Sequence, residues 1–331
     1  MTDAAVRAPA GPVWDEAVGL LRSADEVALA CHVGPDGDAL GSLLALAIGL
    51  RSLGKRVVAS WGSEPFEVPA QYAFLPGLDL LTPPESFPAA PELLVTFDTG
   101  SLDRLGVLAG NAKNAAHVVV VDHHVSNTRF GTVNLLDTDA AASALLVDEL
   151  LRRLGVPIDA DIAACLYTGL TTDTGSFKYQ ATTPAVHGVA ARLLETGIDH
   201  AAIAREVWDT KPFGYVKLLG VLLGRATLED GLVWTWSTQA DFAAYGVTMD
   251  DIEGAIDVLR TTVEAEVAVI CKETPEGSYA VSMRAKGATD VGAAAVSLGG
   301  GGHRYAAGFT SEADLATTMD RLRTALRRPR P

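Results

Sequence analysis

The apolar residues of this chain follow two rhythms. Up to about residue 179, short unbroken apolar runs alternate with longer runs at helical spacing; beyond residue 232, strand-like segments alternate apolar and polar positions. Residues 27–31 (VALAC), 93–97 (LLVTF) and 118–121 (VVVV) alternate too little for half-exposed strands and suit strands buried on both faces. The pattern predicts βαβ units and an α/β fold, with a mostly parallel sheet and flanking helices. An amphipathic helix is expected from about Ala39, with Leu40, Leu43, Leu44 and Leu50 toward the core. After the turn signal at Thr183-Pro184, residues 187–194, 201–208 and 215–223 carry helical spacing, interrupted at Gly197, Pro212 and Gly214. From Leu232, VWTWST, EVAVICKE and SYAVSMRA predict the strands of a smaller α/β domain with a mixed sheet. Two helices flank a glycine run there, the last over 312–328, and the basic tail 327–331 is expected to fray. The predicted organisation is an α/β domain over 13–185, a helical connector over 186–225 and the smaller domain over 226–328.

The polar residues that end the buried runs carry the candidate chemistry. His32 follows the first run, and Asp36-Gly37-Asp38 follows in a tight turn at a helix N-terminus. Asp98 ends the second run, and Asp122-His123-His124 ends the valine run. Open parallel sheets bind ligands outside the carboxyl ends of their strands, where these residues would lie. Three adjacent ionisable groups at a buried tip would cost several kcal/mol if unpaired, so the triplet points to a site. Asp36-Gly37-Asp38 alone reads equally as an Asx-type turn with Asp38 as N-cap. Asp173 alone reads as a cap or turn residue. Carboxylates suit hard divalent cations, and imidazole beside them tilts the preference toward Mn²⁺, with Mg²⁺ as the alternative.

The segments HVGPDGDALGS, FDTG, VDHH and GLTTDTGSF resemble, in order, the four motifs of the DHH phosphoesterase family, which includes RecJ-type nucleases and family II pyrophosphatases. SLGGGGHRYAAGF, with SMRAKG upstream, resembles the signature of the DHH-associated C-terminal domain. Together they are similar to the oligoribonuclease and 3′-phosphoadenosine-5′-phosphate phosphatase branch, whose actinobacterial members are also linked with cyclic dinucleotide breakdown. The resemblance implies that His32 and Asp36 hold one metal ion, that Asp38, His123 and Asp173 hold a second, and that Asp98 bridges the two. It implies that Asp122 steers His123, and that His124 stays free of metal to meet the substrate phosphoryl group or assist the leaving group. Two divalent ions roughly 3.5–4 Å apart acidify a water for in-line attack, so no serine or cysteine nucleophile is required. In the second domain, Gly301 and Gly302 of the glycine run would bring backbone N–H groups to an anion, with Arg284 and His303 as its grip.

Composition narrows the partners. Before residue 186 there are 11 basic and 22 acidic residues, and after it 15 and 19, giving a net charge of −15. No basic groove for tracking long nucleic acid is visible, which favours short RNA, dinucleotides or a nucleoside bisphosphate as substrate. Three cysteines, none in a C-x-x-C pair, argue for a reducing compartment and read as buried core thiols. With no signal-peptide pattern at the start and no membrane-length apolar run, the cytoplasm is the expected location. The resemblance makes a homodimer the expected assembly. Inorganic pyrophosphatase and a non-catalytic nucleotide-binding regulator are the alternative functions; the GGGGH segment weighs against the first and the full ligand set against the second.

Overall fold

The computed structural model describes residues 11–327, and the chain divides after Thr210 into two units. The first contains α1 (Gly11–Ser23), β1 (Glu26–Cys31), α2 (Gly37–Ser52), β2 (Arg56–Trp61), β3 (Leu93–Phe97), α3 (Ala109–Asn114), β4 (His117–Asp122), β5 (Val133–Leu136), α4 (Ser143–Leu154), α5 (Ala160–Asp173), α6 (Pro184–Glu195) and α7 (His200–Trp208). Its five strands form one all-parallel sheet in the order β2-β1-β3-β4-β5. β1 (after Glu26), β3 and β4 (after His117) are buried throughout, because both faces are covered. Val27, Leu29, Val95, Val119 and Val121 meet the helices α1, α2, α4 and α5 on one face, while Ala28, Ala30, Leu94, Val118 and Val120 meet Phe87, Leu105, Leu108 and Ala112 on the other.

Helix α2 departs from the amphipathic pattern expected for it. Every residue from Gly37 to Leu50 is buried, because α2 lies on the sheet with α4 and α5 against its remaining sides. A helix surrounded in this way needs no polar face. Its start is fixed by Asp36, not Asp38: Asp36 Oδ1 accepts from the N–H groups of Asp38 and Ala39 at 3.0 and 2.9 Å. That leaves the Asp38 side chain, one residue into the helix, free to point elsewhere.

The second unit contains α8 (Phe213–Arg225), β6 (Thr227–Glu229), β7 (Leu232–Ser237), α9 (Gln239–Tyr245), α10 (Ala255–Arg260), β8 (Val267–Glu273), β9 (Tyr279–Ala285), α11 (Val291–Ser297), β10 (Gly301–His303), β11 (Ala306–Ser311) and α12 (Leu315–Leu326). Its sheet has the order β10-β11-β9-β8-β7-β6, and of its pairings only β7 with β8 is parallel, so the sheet is mixed. One face packs on α11 and α12 through Val269, Met283, Phe309 and Leu322; the other meets α8 and α10 through Ile270, Leu218 and Ile256. Of the helices expected as a connector, α6 and α7 belong to the first unit and α8 to the second. The glycine run is not a plain link between two helices, because it enters the β10–β11 hairpin. Gly300 is required there: a Cβ would stand 2.1 Å from the Gly308 carbonyl oxygen. The last helix starts three residues later than expected, and the tail beyond Arg327 lies outside the described residues.

Candidate metal centre

The strand order β2-β1-β3 puts a topological switch point between β1 and β3, the place where open α/β sheets receive ligands. His32 follows β1 there, Asp98 follows β3, and Asp122, His123 and His124 end β4 and continue beyond it. Asp98 has φ of 52°, a left-handed conformation that costs an aspartate on the order of 1–3 kcal/mol. Its N–H still donates to the Val121 carbonyl at 3.0 Å, and its Oδ1 accepts from Ser143 Oγ at 3.0 Å, which hold it in place. Asp38 and Asp173 arrive from the α2–α5 helix pair. The helices approach closely because Gly41 faces the Cys165 carbonyl, where a Cβ would meet oxygen at 2.4 Å, and Gly169 faces Asp38.

The side chains form two groups around one carboxylate. His32 Nε2 lies 3.8 Å from Asp36 Oδ2 and 3.6 Å from Asp98 Oδ2. His123 Nε2 lies 3.0 Å from Asp173 Oδ2, 3.4 Å from Asp98 Oδ1 and 3.8 Å from Asp38 Oδ2. Asp98 therefore turns one oxygen toward each group. Ligand atoms about 2.1 Å from a common ion are roughly 3.0 Å apart when adjacent and at most about 4.2 Å apart, so both groups fit a divalent cation. The imidazoles are also oriented for it. His32 Nδ1 faces the Val33 carbonyl at 2.9 Å and His123 Nδ1 the Ala140 carbonyl at 3.0 Å. A carbonyl oxygen only accepts, so each Nδ1 carries hydrogen and each Nε2 offers its lone pair inward.

The electrostatics agree with the donor chemistry. Burial pulls His32 toward neutrality, but Asp36 and Asp98 outweigh it and push its pKa up to about 10. His123 rises in the same way, with burial opposed by Asp173 and Asp98. Asp38 is raised by burial and by the charges of Asp98 and Asp173, and Asp173 is raised mainly by burial. Asp98 is held low against its burial by His124, His123 and His32. Without cations, protons on these groups offset the carboxylate charge; cations would displace them.

Asp122 steers His124, not His123. Its Oδ1 meets His124 Nδ1 at 2.7 Å and accepts the backbone N–H groups of both histidines, while the Ala140 carbonyl orients His123. The cause is the turn after β4, which folds the i+2 imidazole back over the carboxylate. Asn127 Nδ2 donates to Asp122 Oδ2 at 2.5 Å, completing a line from Asn127 through Asp122 to His124. Burial lowers His124, yet Asp98 and Asp122 prevail and raise its pKa. The N-terminus of α4 is a further contributor absent from the motif reading. Ser143 N donates to Asp38 Oδ2 at 2.6 Å and Ala144 N to Asp38 Oδ1 at 2.9 Å, so Asp38 caps a helix 105 residues away in sequence. Nothing local in the sequence marks Asp38 as the partner of this helix end.

The second unit places the other candidate residues on its sheet. Arg284 on β9 pairs with Ala306 on β11, which pairs with His303 on β10. Residues paired across strands share a face, so Arg284 and His303 flank Ala306 about two strand spacings apart, roughly 10 Å. The next row on that face is Ser282, Gly308 and Gly301, a floor of small residues. Gly302 pairs with Ala307 on the opposite face; with φ of 130°, its Cβ would lie 2.6 Å from the Ala306 carbonyl oxygen.

Comparison with known proteins agrees with both units. Residues 26–170 match the model of the DHH family, N-terminal domain, and residues 238–328 that of the DHHA1 domain. The bifunctional oligoribonuclease and PAP phosphatase NrnA of Thermus thermophilus is 35% identical over 301 residues, spanning 90% of this chain and 88% of its own. The chain belongs to the DHH family. This DHH chain is also 26% identical to the Bacillus subtilis protein of the same name, over 86% of this chain and 88% of that one. Its fold matches an exopolyphosphatase-related protein from Bacteroides fragilis with a TM-score of 0.85 at 23% identity, covering 96% of each chain. It also matches Thermus thermophilus RecJ, solved in complex with Mn²⁺, with a TM-score of 0.56 at 16% identity, over 96% of this chain and 55% of that one. Among the described residues, no helix is long and apolar enough to cross a membrane.

Proposed function

We propose that this chain is a two-metal phosphoesterase that hydrolyses short oligoribonucleotides to nucleoside monophosphates and removes the 3′-phosphate of 3′-phosphoadenosine-5′-phosphate. Cyclic di-AMP and its linear dinucleotide are further substrates on this reading. The observation that carries it is Asp98, whose two oxygens face two separate imidazole-carboxylate groups. His32, Asp36 and Asp98 would hold one ion, and Asp38, His123, Asp173 and Asp98 the other, with Mn²⁺ preferred for the mixed nitrogen and oxygen donors. The ions would supply Lewis acidity, acidifying an attacking water and neutralising charge on the phosphoryl oxygens.

The protein's own groups do the rest. His124, held by Asp122, presents Nε2 as a proton donor for the leaving oxygen, and the neighbouring carboxylates raise its pKa, which favours the protonated form that this role needs. Arg284 and His303 grip a terminal phosphate, Arg284 by its planar fork, and the small residues Ala306, Gly308 and Gly301 leave room for a nucleotide above the sheet. Net charge supports substrates with few phosphates.

Release of phosphate or mononucleotide from pyrophosphate, 3′-phosphoadenosine-5′-phosphate and a labelled diribonucleotide, with and without Mn²⁺, tests the assignment. Mn²⁺-dependent turnover of the last two is expected. Turnover of pyrophosphate alone would make the chain a pyrophosphatase, and absence of turnover with tight nucleotide binding would make it a regulator.

A further inference from the structure

Arg104 stands beside the metal-binding groups without belonging to them. Its Nη2 lies 3.4 Å from His32 Nδ1, yet the side chain is exposed and, among the described residues, no carboxylate pairs with it. His32 Nδ1 is already committed to the Val33 carbonyl at 2.9 Å, so the guanidinium hydrogens are not needed to orient the ring.

The backbone around Arg104 is fixed with unusual firmness for a surface residue. Its carbonyl accepts from Val33 N at 2.9 Å, its N–H donates to the Ser101 carbonyl at 3.1 Å, and Val107 N donates to the Gly62 carbonyl at 3.3 Å. The adjacent Leu105 is fully buried. Gly106, at φ of 57°, sits where a Cβ would lie 2.4 Å from Val33 Cγ1 and 2.5 Å from the Gly62 carbonyl oxygen. The segment is therefore pressed onto the ends of β1 and β2, and it delivers one exposed cationic side chain to the rim of the switch point.

Charge gives that cation a task. Asp36, Asp38, Asp98, Asp122 and Asp173 carry five formal negative charges, and two divalent cations offset four of them. A protonated His124 offsets the fifth, so the charge of the incoming phosphate itself is left to be balanced. A guanidinium beside His32 balances part of it and offers two parallel N–H donors to a non-bridging phosphoryl oxygen pair. We propose that Arg104 is a substrate-binding residue that grips the scissile phosphate beside His32. This rests on the two-metal reading above and adds to it a contact from the first unit itself.

The test uses the full-length Mn²⁺-loaded protein and its Arg104→Ala, Arg104→Gln and Arg104→Lys variants. Mn²⁺ affinity and calorimetric binding of AMP and adenosine are measured for each. A charge-assisted contact predicts that Arg104→Ala and Arg104→Gln keep wild-type Mn²⁺ affinity while the preference for AMP over adenosine falls about tenfold to hundredfold. Arg104→Lys, which keeps the charge but not the fork, recovers part of that preference. Weakened Mn²⁺ binding with the AMP preference intact would overturn the proposal and make Arg104 a support for His32. An unchanged preference in all three variants would overturn it as well. Wild-type protein that takes up no Mn²⁺ would instead sink the metal-centre reading, and this proposal with it.

Discussion

Gly169→Ala tests how the helix pair places Asp38. A Cβ at this position would stand 2.8 Å from Asp38 Oδ1 and 3.0 Å from Ala144 Cβ, whereas ordinary contact begins near 3.4 Å. A side-chain oxygen often swings away at little cost. Asp38 has nowhere to go, because Oδ1 accepts from Ala144 N and Ser42 Oγ and Oδ2 from Ser143 N. Relief therefore requires about 0.6 Å of movement by the carboxylate or by α5, and either shifts Asp38 relative to His123 and Asp173. Overpacking of this kind costs about 1–3 kcal/mol of stability. Disturbing the support of a ligand weakens metal binding by about 10–100-fold. Calorimetric Mn²⁺ titration, with thermal unfolding of the metal-free protein, measures both. Gly188→Ala is the control: its site on α6 has open space, so it is expected to be neutral or stabilising by up to about 1 kcal/mol with unchanged Mn²⁺ affinity. A folded Gly169→Ala protein that binds Mn²⁺ like wild type would refute the reasoning.

Three further outcomes follow from the site. Asp98→Ala should lose metal from both positions and abolish turnover, read by metal content after gel filtration and by dinucleotide hydrolysis; two retained ions would contradict the bridge. Metal-free protein should lose stability as pH rises from about 6.5 toward 10, because His32 and His123 have raised pKa values and their stabilising contribution fades as they deprotonate. Excess Mn²⁺ should flatten that slope in thermal unfolding across the same range. Asp122→Asn should leave metal content intact and move the alkaline limb of the pH–rate profile to lower pH, since a carboxylate that raises His124 is gone.

The parts of this site that were legible in sequence are those where a local rule applies. Buried runs such as 118–121 announced strands, and ionisable residues at their tips had to serve a site because burial would otherwise be too costly. Partnerships set by the fold were not legible. Asp38 meets α4 across 105 residues, through backbone N–H groups that any residue supplies. The choice of Asp122 between adjacent histidines depended on the turn beyond β4, where spacing favours neither. The β10–β11 hairpin was hidden because GGHRYAAGF has none of the β-branched residues that mark a strand; pairing to β9 stabilises it. Helix α2 looked one-sided only because its small residues, Gly41 and Gly49, face neighbours that leave them no space.

The central claim is that Asp98 joins two cations in one centre, and electron paramagnetic resonance of the Mn²⁺-loaded protein addresses it directly. Two Mn²⁺ per chain with the spectrum of an exchange-coupled pair is the expected result. A single bound ion, or two with the six-line spectra of isolated Mn²⁺, would contradict it.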